Sequence, residues 1–255
     1  MIYENSSTQP QPAVVSKPDY DLGWKLWSDM VRYYPSGVHR RRLITKWLAP
    51  LAPLTVLDAG CGPGHLLQTL RRSIPNAAFT GVDDSQETVL DNRRRLPWCQ
   101  FERRDLGKEK LSQRFDVVVC SEVLEHIPED EAALEHLCAM TGRYLMITVP
   151  TGPIFPLEAG FGHLRHYDVR SLCSRLEAHG MRVIKVSAWG FPWMTLFKRA
   201  SNFRPRKVLD NFGAGKWSWP QKTIGLFLTW LFYLNLPFGG PQILVLAEQN
   251  RKHSS

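Results

Sequence analysis

The run Val56-Leu57-Asp58-Ala59-Gly60-Cys61-Gly62-Pro63-Gly64 decides how the rest of the chain is read. It joins an apolar segment, Leu54–Asp58, to one with helical periodicity, His65–Arg72. Glycines at 60, 62 and 64 permit a tight turn and let a ligand approach the backbone. Such a turn between a strand and a helix also occurs in dinucleotide folds, so on its own it is a weak signal. A phosphate-binding loop would more naturally carry a lysine, and none follows the glycines. Asp58, at the strand end, can accept from an ammonium group or order the turn.

Outward from this run the period alternates between strand and helix. Strands are expected at Ala78–Val82, Cys99–Arg103, Phe115–Cys120, Tyr144–Val149, Arg182–Ala188 and Gln242–Glu248. Helices are expected at Gln86–Arg95, Glu129–Thr141 and Asp168–His179, the last closed by Gly180. This alternation implies right-handed crossovers and a mostly parallel sheet. Upstream, Tyr20–Ala52 reads as helical, with Trp24, Trp27, Met30 and Val31 on one face. Pro35-Ser36-Gly37 breaks that run, and a second helix is expected over Val38–Leu51. Residues 1–18 read as a disordered tail and 19–255 as one domain. That domain comprises N-terminal helices (19–52), a core (53–190), an insertion (191–241) and a last strand (242–249).

The 255 residues are 44% hydrophobic and 22% charged, which excludes disordered, collagen-like and coiled-coil chains. The formal charge is +8. Much of it lies between Phe191 and Thr223, where Lys198, Arg199, Arg204, Arg206, Lys207, Lys216 and Lys222 face one acid, Asp210. Such a stretch suits phosphate, anionic lipid or an acidic substrate, or is simply a solvated loop. The insertion is also aromatic, and ends in Ile224–Leu236, about one apolar helix. At 1.5 Å per residue that helix spans roughly 20 Å, short of a ~30 Å hydrocarbon core. It reads first as a buried helix, then as a lid or an interfacial segment. The five cysteines form no CxxC pair, as in a reducing compartment. No signal sequence is visible at the N-terminus. A cytoplasmic location follows, with peripheral membrane contact through 191–236 as its extension.

Further acids close the next strands. Asp83 and Asp84 follow the second, where a carboxylate takes ribose hydroxyls. Asp105-Leu106 follows the third and can meet an adenine edge. The set VLDAGCGPG, GVDDS, RDL and FDVVVCSEVLEHIPED, in this order over Leu54–Pro150, resembles the class I S-adenosylmethionine-dependent methyltransferases. EVLEH is similar to the run found in ubiquinone-biosynthesis O-methyltransferases and in small-RNA terminal methyltransferases. The resemblance implies an α/β, Rossmann-like fold. Its seven-stranded, mostly parallel sheet has an antiparallel last strand, an N-terminal helical cap and a helical insertion before the last strand. It also implies S-adenosylmethionine as cofactor. Asp58, Gly60, Cys61, Gly62 and Gly64 would lie at the methionine end, Asp83 and Asp84 at the ribose, and Asp105 and Leu106 at the adenine. Cys120 and Ser121 would close over the sulfonium.

Methyl transfer from a sulfonium needs alignment and water exclusion more than acid–base machinery. Three residues are nonetheless candidates for catalysis: Glu122, His163 and His166. Either imidazole could take a hydroxyl proton. Glu122, Glu125 and His126 could converge on Mg²⁺, although a structural or substrate-facing role for them is preferred here. His65 and the cluster His39–Arg42 read as helix-face residues, and Tyr33 as a lid residue. The expected activity is methyl transfer to a small, apolar acceptor, at oxygen, with no nucleic-acid partner. The alternatives are RNA methylation through the basic aromatic insertion, and a non-catalytic partner subunit.

Overall fold

A computed structural model of the chain describes residues 28–212 and 215–250. The expected tail, Trp24 and Trp27 lie outside the described residues. Two helices open the described chain, α1 (Ser28–Tyr33) and α2 (Pro35–Leu48). Pro35 therefore starts the second helix instead of separating the two. Its missing N–H and fixed φ suit a first helical turn. The core follows as β1 (Thr55–Ala59), α3 (His65–Ser73), β2 (Ala78–Asp83), α4 (Gln86–Arg95), β3 (Gln100–Arg103) and β4 (Phe115–Ser121). Next come α5 (Asp130–Met140), β5 (Thr141–Pro150), the short α6 (Pro156–Gly160), α7 (Val169–Ala178) and β6 (Met181–Trp189). The insertion holds α8 (Trp193–Phe203), α9 (Pro205–Phe212) and α10 (Trp219–Leu231), before β7 (Gln242–Gln249).

The sheet order is β3-β2-β1-β4-β5-β7-β6, with β7 antiparallel to both neighbours and the other pairs parallel. The expected seven-stranded sheet and antiparallel last strand are what the structure has. The chain leaves β1 toward β2 on one side and later returns to β4 on the other. That reversal is the topological switch point, where the carboxyl ends of the strands leave a crevice.

Period-two burial explains why both sheet faces are covered. Leu57, Ala59, Val118 and Cys120 face one core with Leu134 and Leu137 of α5 and Leu172 and Leu176 of α7. Val56, Val117 and Val119 face the other, with Ile44 and Leu48 of α2 and Leu67 and Leu70 of α3. The α7 helix starts where Asp168 accepts from the backbone N–H of Arg170 and Ser171, at 2.9 and 3.1 Å.

Three expectations about the helices are corrected. α10 starts at Trp219, five residues earlier than expected, because Ser218 and Gln221 form a capping box. Nor is it a buried helix: Gly225 is the one buried residue of α10. The cluster His39–Arg42 is not an exposed face either. His39 is fully buried, and its Nε2 donates to the Thr229 carbonyl of α10 at 2.7 Å. Arg42 Nε donates to its Nδ1 at 3.3 Å. Burial pushes the imidazole pKa down, which suits this neutral tautomer. All five cysteines are free thiols.

Candidate active site

A cavity of about 570 Å³ opens at the switch point. One wall is the glycine turn. The N–H groups of Gly60 and Cys61 both donate to the Val82 carbonyl, at 2.8 and 2.9 Å, so the turn is strapped across the end of β2. Gly60 has φ +80°, and a Cβ there would stand 2.4 Å from a methyl of Val123. Only glycine fits that combination. Asn92 of α4 supports the turn from behind, donating to the Gly62 carbonyl at 2.7 Å.

Asp83 fixes the same turn from the end of β2. Its Oδ2 accepts from Gly62 N–H at 2.8 Å and its Oδ1 from Ser85 N–H at 3.1 Å. A carboxylate has about four acceptor positions, and Asp83 also lines the cavity. Asp84 also lines the cavity, and its carbonyl accepts from Arg103 at 3.0 Å. At the other rim Asp105 accepts from Gly107 N–H at 3.1 Å and pairs with Lys108 at 2.7 Å. Leu106 lines the cavity beside it.

Asp58 is 2% exposed, and burial, reinforced by Asp83, pushes its carboxyl up to about 7. The folded chain then holds a proton there that the unfolded chain has released. Stability is greatest below the ordinary carboxylate range and falls as pH rises toward 7. At ~1.4 kcal/mol per pH unit, the loss is on the order of 4 kcal/mol. Urea unfolding of the ligand-free protein at pH 5 and pH 8 should show this decline. Asp58→Asn should flatten it, and an unchanged slope in that variant would refute the assignment.

The far end of the cavity is built on the turn after β4. Glu122 has φ +57°, a left-handed conformation that costs a non-glycine residue about 1–3 kcal/mol unless its surroundings enforce it. Its N–H donates to the Thr148 carbonyl at 2.9 Å, and Oε1 accepts from Gln242 Nε2 at 2.7 Å. Oε2 lies 3.5 Å from Arg40 of α2. Ser121, Glu122 and His126 all line the cavity, and Ser121 Oγ bonds Thr148 Oγ1 at 2.9 Å.

The loop Gly162–Tyr167 docks against this turn. Arg165 donates to the carbonyls of Ile127 and Pro128 and pairs with Asp130 at 3.1 Å. Tyr167 hydroxyl donates to Asp130 at 2.9 Å. His163 Nδ1 and His166 Nε2 are 3.1 Å apart, and His166 Nδ1 donates to the Gly152 carbonyl at 2.9 Å. Burial, aided by His126 and His166, pushes His163 down to about 3, which makes it a poor proton acceptor.

The structure thus brings Asp58, Gly60, Cys61, Gly62, Asp83, Asp84, Asp105, Leu106, Ser121 and Glu122 to one cavity. It places four other sequence candidates off the cavity wall. Gly64 caps α3 with φ +75°, and Cys120 packs in the core at 1% exposure. His163 and His166 stand behind His126. Sequence reasoning missed Arg40, Arg41 and His65, which line the cavity, and Gln242, which steadies Glu122. Burial together with Arg40 lowers Arg41 to about 10, and burial with Arg41 lowers His65 to about 4. No local signal marks an arginine that a helix will turn into a cavity.

A cation-ready cluster sits just behind the cavity wall. Donor atoms of Glu125, His126 and His163 all lie within 4.8 Å of one another. Glu125 is fully buried, both carboxylate oxygens lack a hydrogen-bond partner, and burial with Glu122 pushes its pKa well up. Orphaned oxygens facing two imidazoles fit a divalent ion. One carboxylate and two imidazoles suit Zn²⁺ or Mn²⁺ better than Mg²⁺, which prefers oxygens. Glu122, for which the sequence favoured a structural or substrate-facing role over Mg²⁺ ligation, is held by Gln242 and Arg40.

A family model described as "Methyltransferase domain" matches residues 32–186, well over half of the chain. A trans-aconitate 2-methyltransferase from Klebsiella pneumoniae is 32% identical over 110 residues, covering 42% of this chain and 44% of that protein. The chain spans less than half the length of the curated relatives it matches. Among solved structures, the magnesium protoporphyrin IX methyltransferase from Synechocystis PCC 6803 with bound SAH superimposes with a TM-score of 0.53. It is 19% identical, over 83% of this chain and 82% of that one. An N-methyltransferase from Bradyrhizobium japonicum WM9 in complex with S-adenosyl-L-homocysteine gives a TM-score of 0.55 at 13% identity, over 86% and 90%. At these identities the structural likeness establishes the fold alone. With its family match, its sheet order and its glycine turn, the chain belongs to the class I, S-adenosylmethionine-dependent methyltransferase family.

Proposed function

We propose that this enzyme transfers the methyl group of S-adenosylmethionine to an oxygen of a small, lipophilic acceptor. The carrying observation is that a single cavity runs from the glycine turn and Asp83 to Ser121, Glu122 and His126. In this reading Asp83 takes the ribose hydroxyls, Asp105 and Leu106 meet the adenine, and Asp58 faces the methionine ammonium. The acceptor enters beside Val31, Arg40 and Leu164, which line the opposite end. The acceptor oxygen attacks the methyl carbon, the carbon–sulfur bond breaks, and its electron pair stays on sulfur as a neutral thioether. Without a bound cation, a hydroxyl acceptor gives up its proton to His126, which lines the cavity together with His65.

A cation held by Glu125, His126 and His163 would make such a hydroxyl more acidic. The chain's own residues align the acceptor and exclude water around it.

A carboxylate acceptor is the second reading, favoured by Arg40 and Arg41 in the cavity wall and by the trans-aconitate relatives. It needs no base, because the oxygen is already ionised. The two readings separate in a panel of apolar phenols and carboxylic acids assayed by S-adenosylhomocysteine release. Turnover of phenols, with Arg40→Met costing less than threefold, supports the first. Turnover confined to carboxylic acids, with Arg40→Met raising KM at least tenfold, supports the second.

A further inference from the structure

We infer that the insertion docks the enzyme on an anionic membrane surface through the outer face of α10, an inference independent of the acceptor reading. Among the described residues, 13 of the 19 exposed large apolar side chains fall between Phe191 and Phe238. Most of them belong to α10 and the turn that follows it. The helix is built inside out. Its inward row carries Gly225, Thr229 and then Phe232. Gly225 sits so close to Tyr33 and Trp217 that a Cβ would meet the Tyr33 carbonyl at 3.2 Å, and the Thr229 carbonyl takes the His39 bond. Its outward row carries Trp219, Leu226, Phe227 and Trp230, exposed by 83, 60, 58 and 63%. Tyr233 and Leu234 continue that row. Within α10 the residues that meet the protein are the small Gly225 and Thr229, with Phe232 buried just past the helix end, and the face left to solvent is aromatic and aliphatic.

An apolar face of this size costs free energy in water and marks a binding surface. Its neighbours select the occupant. Arg199 and Arg204 at the end of α8, Arg206 and Lys207 in α9, and Lys216 before α10 are all exposed. α9 is tied to the start of α10: Gln221 donates to the Asn211 carbonyl, and Trp217 Nε1 donates to the Phe212 carbonyl at 3.2 Å. An apolar helix face with Trp and Tyr, beside a band of basic residues, matches the boundary between acyl chains and anionic headgroups. Among the described residues no helix is long and apolar enough to cross a membrane, so α10 lies in the surface plane. A two-fold contact between copies of this chain would instead press these basic bands toward each other.

The geometry also links the surface to the cavity. α2 places Arg40 and Arg41 in the cavity wall, while His39 on the same helix bonds α10. Docking through α10 therefore holds the acceptor end of the cavity close to the bilayer.

The test is flotation of the full chain with vesicles of phosphatidylcholine alone or with one quarter phosphatidylglycerol, at 0.1 and 0.5 M NaCl. Binding to the anionic vesicles should exceed binding to the neutral ones at least tenfold at low salt. Phe227→Ser/Trp230→Ser should weaken it at least tenfold while S-adenosylmethionine affinity and melting temperature stay unchanged. Both positions are exposed, so the pair leaves the core intact. Arg204→Glu/Lys207→Glu should remove the preference for anionic lipid. Absence of vesicle binding by the wild type overturns the inference. So does binding that survives the aromatic pair, or a dimer in sedimentation velocity that this pair dissolves.

Discussion

Asp83→Ala should weaken S-adenosylmethionine binding at least 100-fold in titration calorimetry. A hydrogen bond to a charged group contributes about 1.5–3 kcal/mol. Two ribose hydroxyls on one carboxylate therefore carry roughly 3–6 kcal/mol, and each ~1.4 kcal/mol is tenfold in affinity. The same carboxylate also receives the Gly62 and Ser85 N–H groups, so its removal slackens the turn as well. Asp83→Asn keeps one acceptor oxygen and should cost about tenfold, which separates the loss of charge from collapse of the turn. Affinity within threefold of wild type in Asp83→Ala would take the ribose role away from this residue.

The second large effect concerns Glu125. A fully buried carboxylate without a partner is among the most costly arrangements in a protein interior. If Glu125, His126 and His163 hold a divalent ion, Mn²⁺ or Zn²⁺ at about 100 times its Kd should add ~2.7 kcal/mol of stability. For a chain of this size that is a rise in Tm of about 5–10 °C. Glu125→Leu fills a similar volume without the charge. Its ligand-free Tm should match or exceed that of the wild type, and the cations should leave it unchanged. Calorimetric titration of the metal-stripped protein reads the same site without any assay of activity. A wild type whose Tm no divalent cation raises would assign the trio to packing of the loop alone.

Legibility in the sequence follows the range of the interactions involved. The strands of the core were readable because parallel strands buried on both faces must be continuous apolar runs, as Val117–Cys120 of β4 is. The glycine turn and the acids at 58, 83 and 105 were readable for a related reason. Each is tied to the end of a strand, and the sheet brings the ends of adjacent parallel strands to one edge. The α2 start at Pro35 was misread, though the rule that explains it is local: proline inside a sequence breaks a helix, whereas at the first turn it begins one.

The antiparallel place of Gln242–Glu248 was implied by the family resemblance. What the sequence by itself determined is the βαβ order and the acids and glycines that close the strands along one edge of the sheet. These depend on periodicity and on residues within a few positions of a strand end. The tertiary structure alone decided which side chains meet at the acceptor end. Arg40 and Gln242 both reach Glu122, from residues 82 and 120 positions away. Glu125 meets His163 across 38 residues. The outward apolar face of α10 was decided in the same way. Its composition is legible, but which side faces water depends on Gly225 and Thr229 being the residues that fit against α1 and α2. Pairings at such separations leave no periodic trace in the chain, because they are fixed by the packing of whole elements and not by the backbone that joins them.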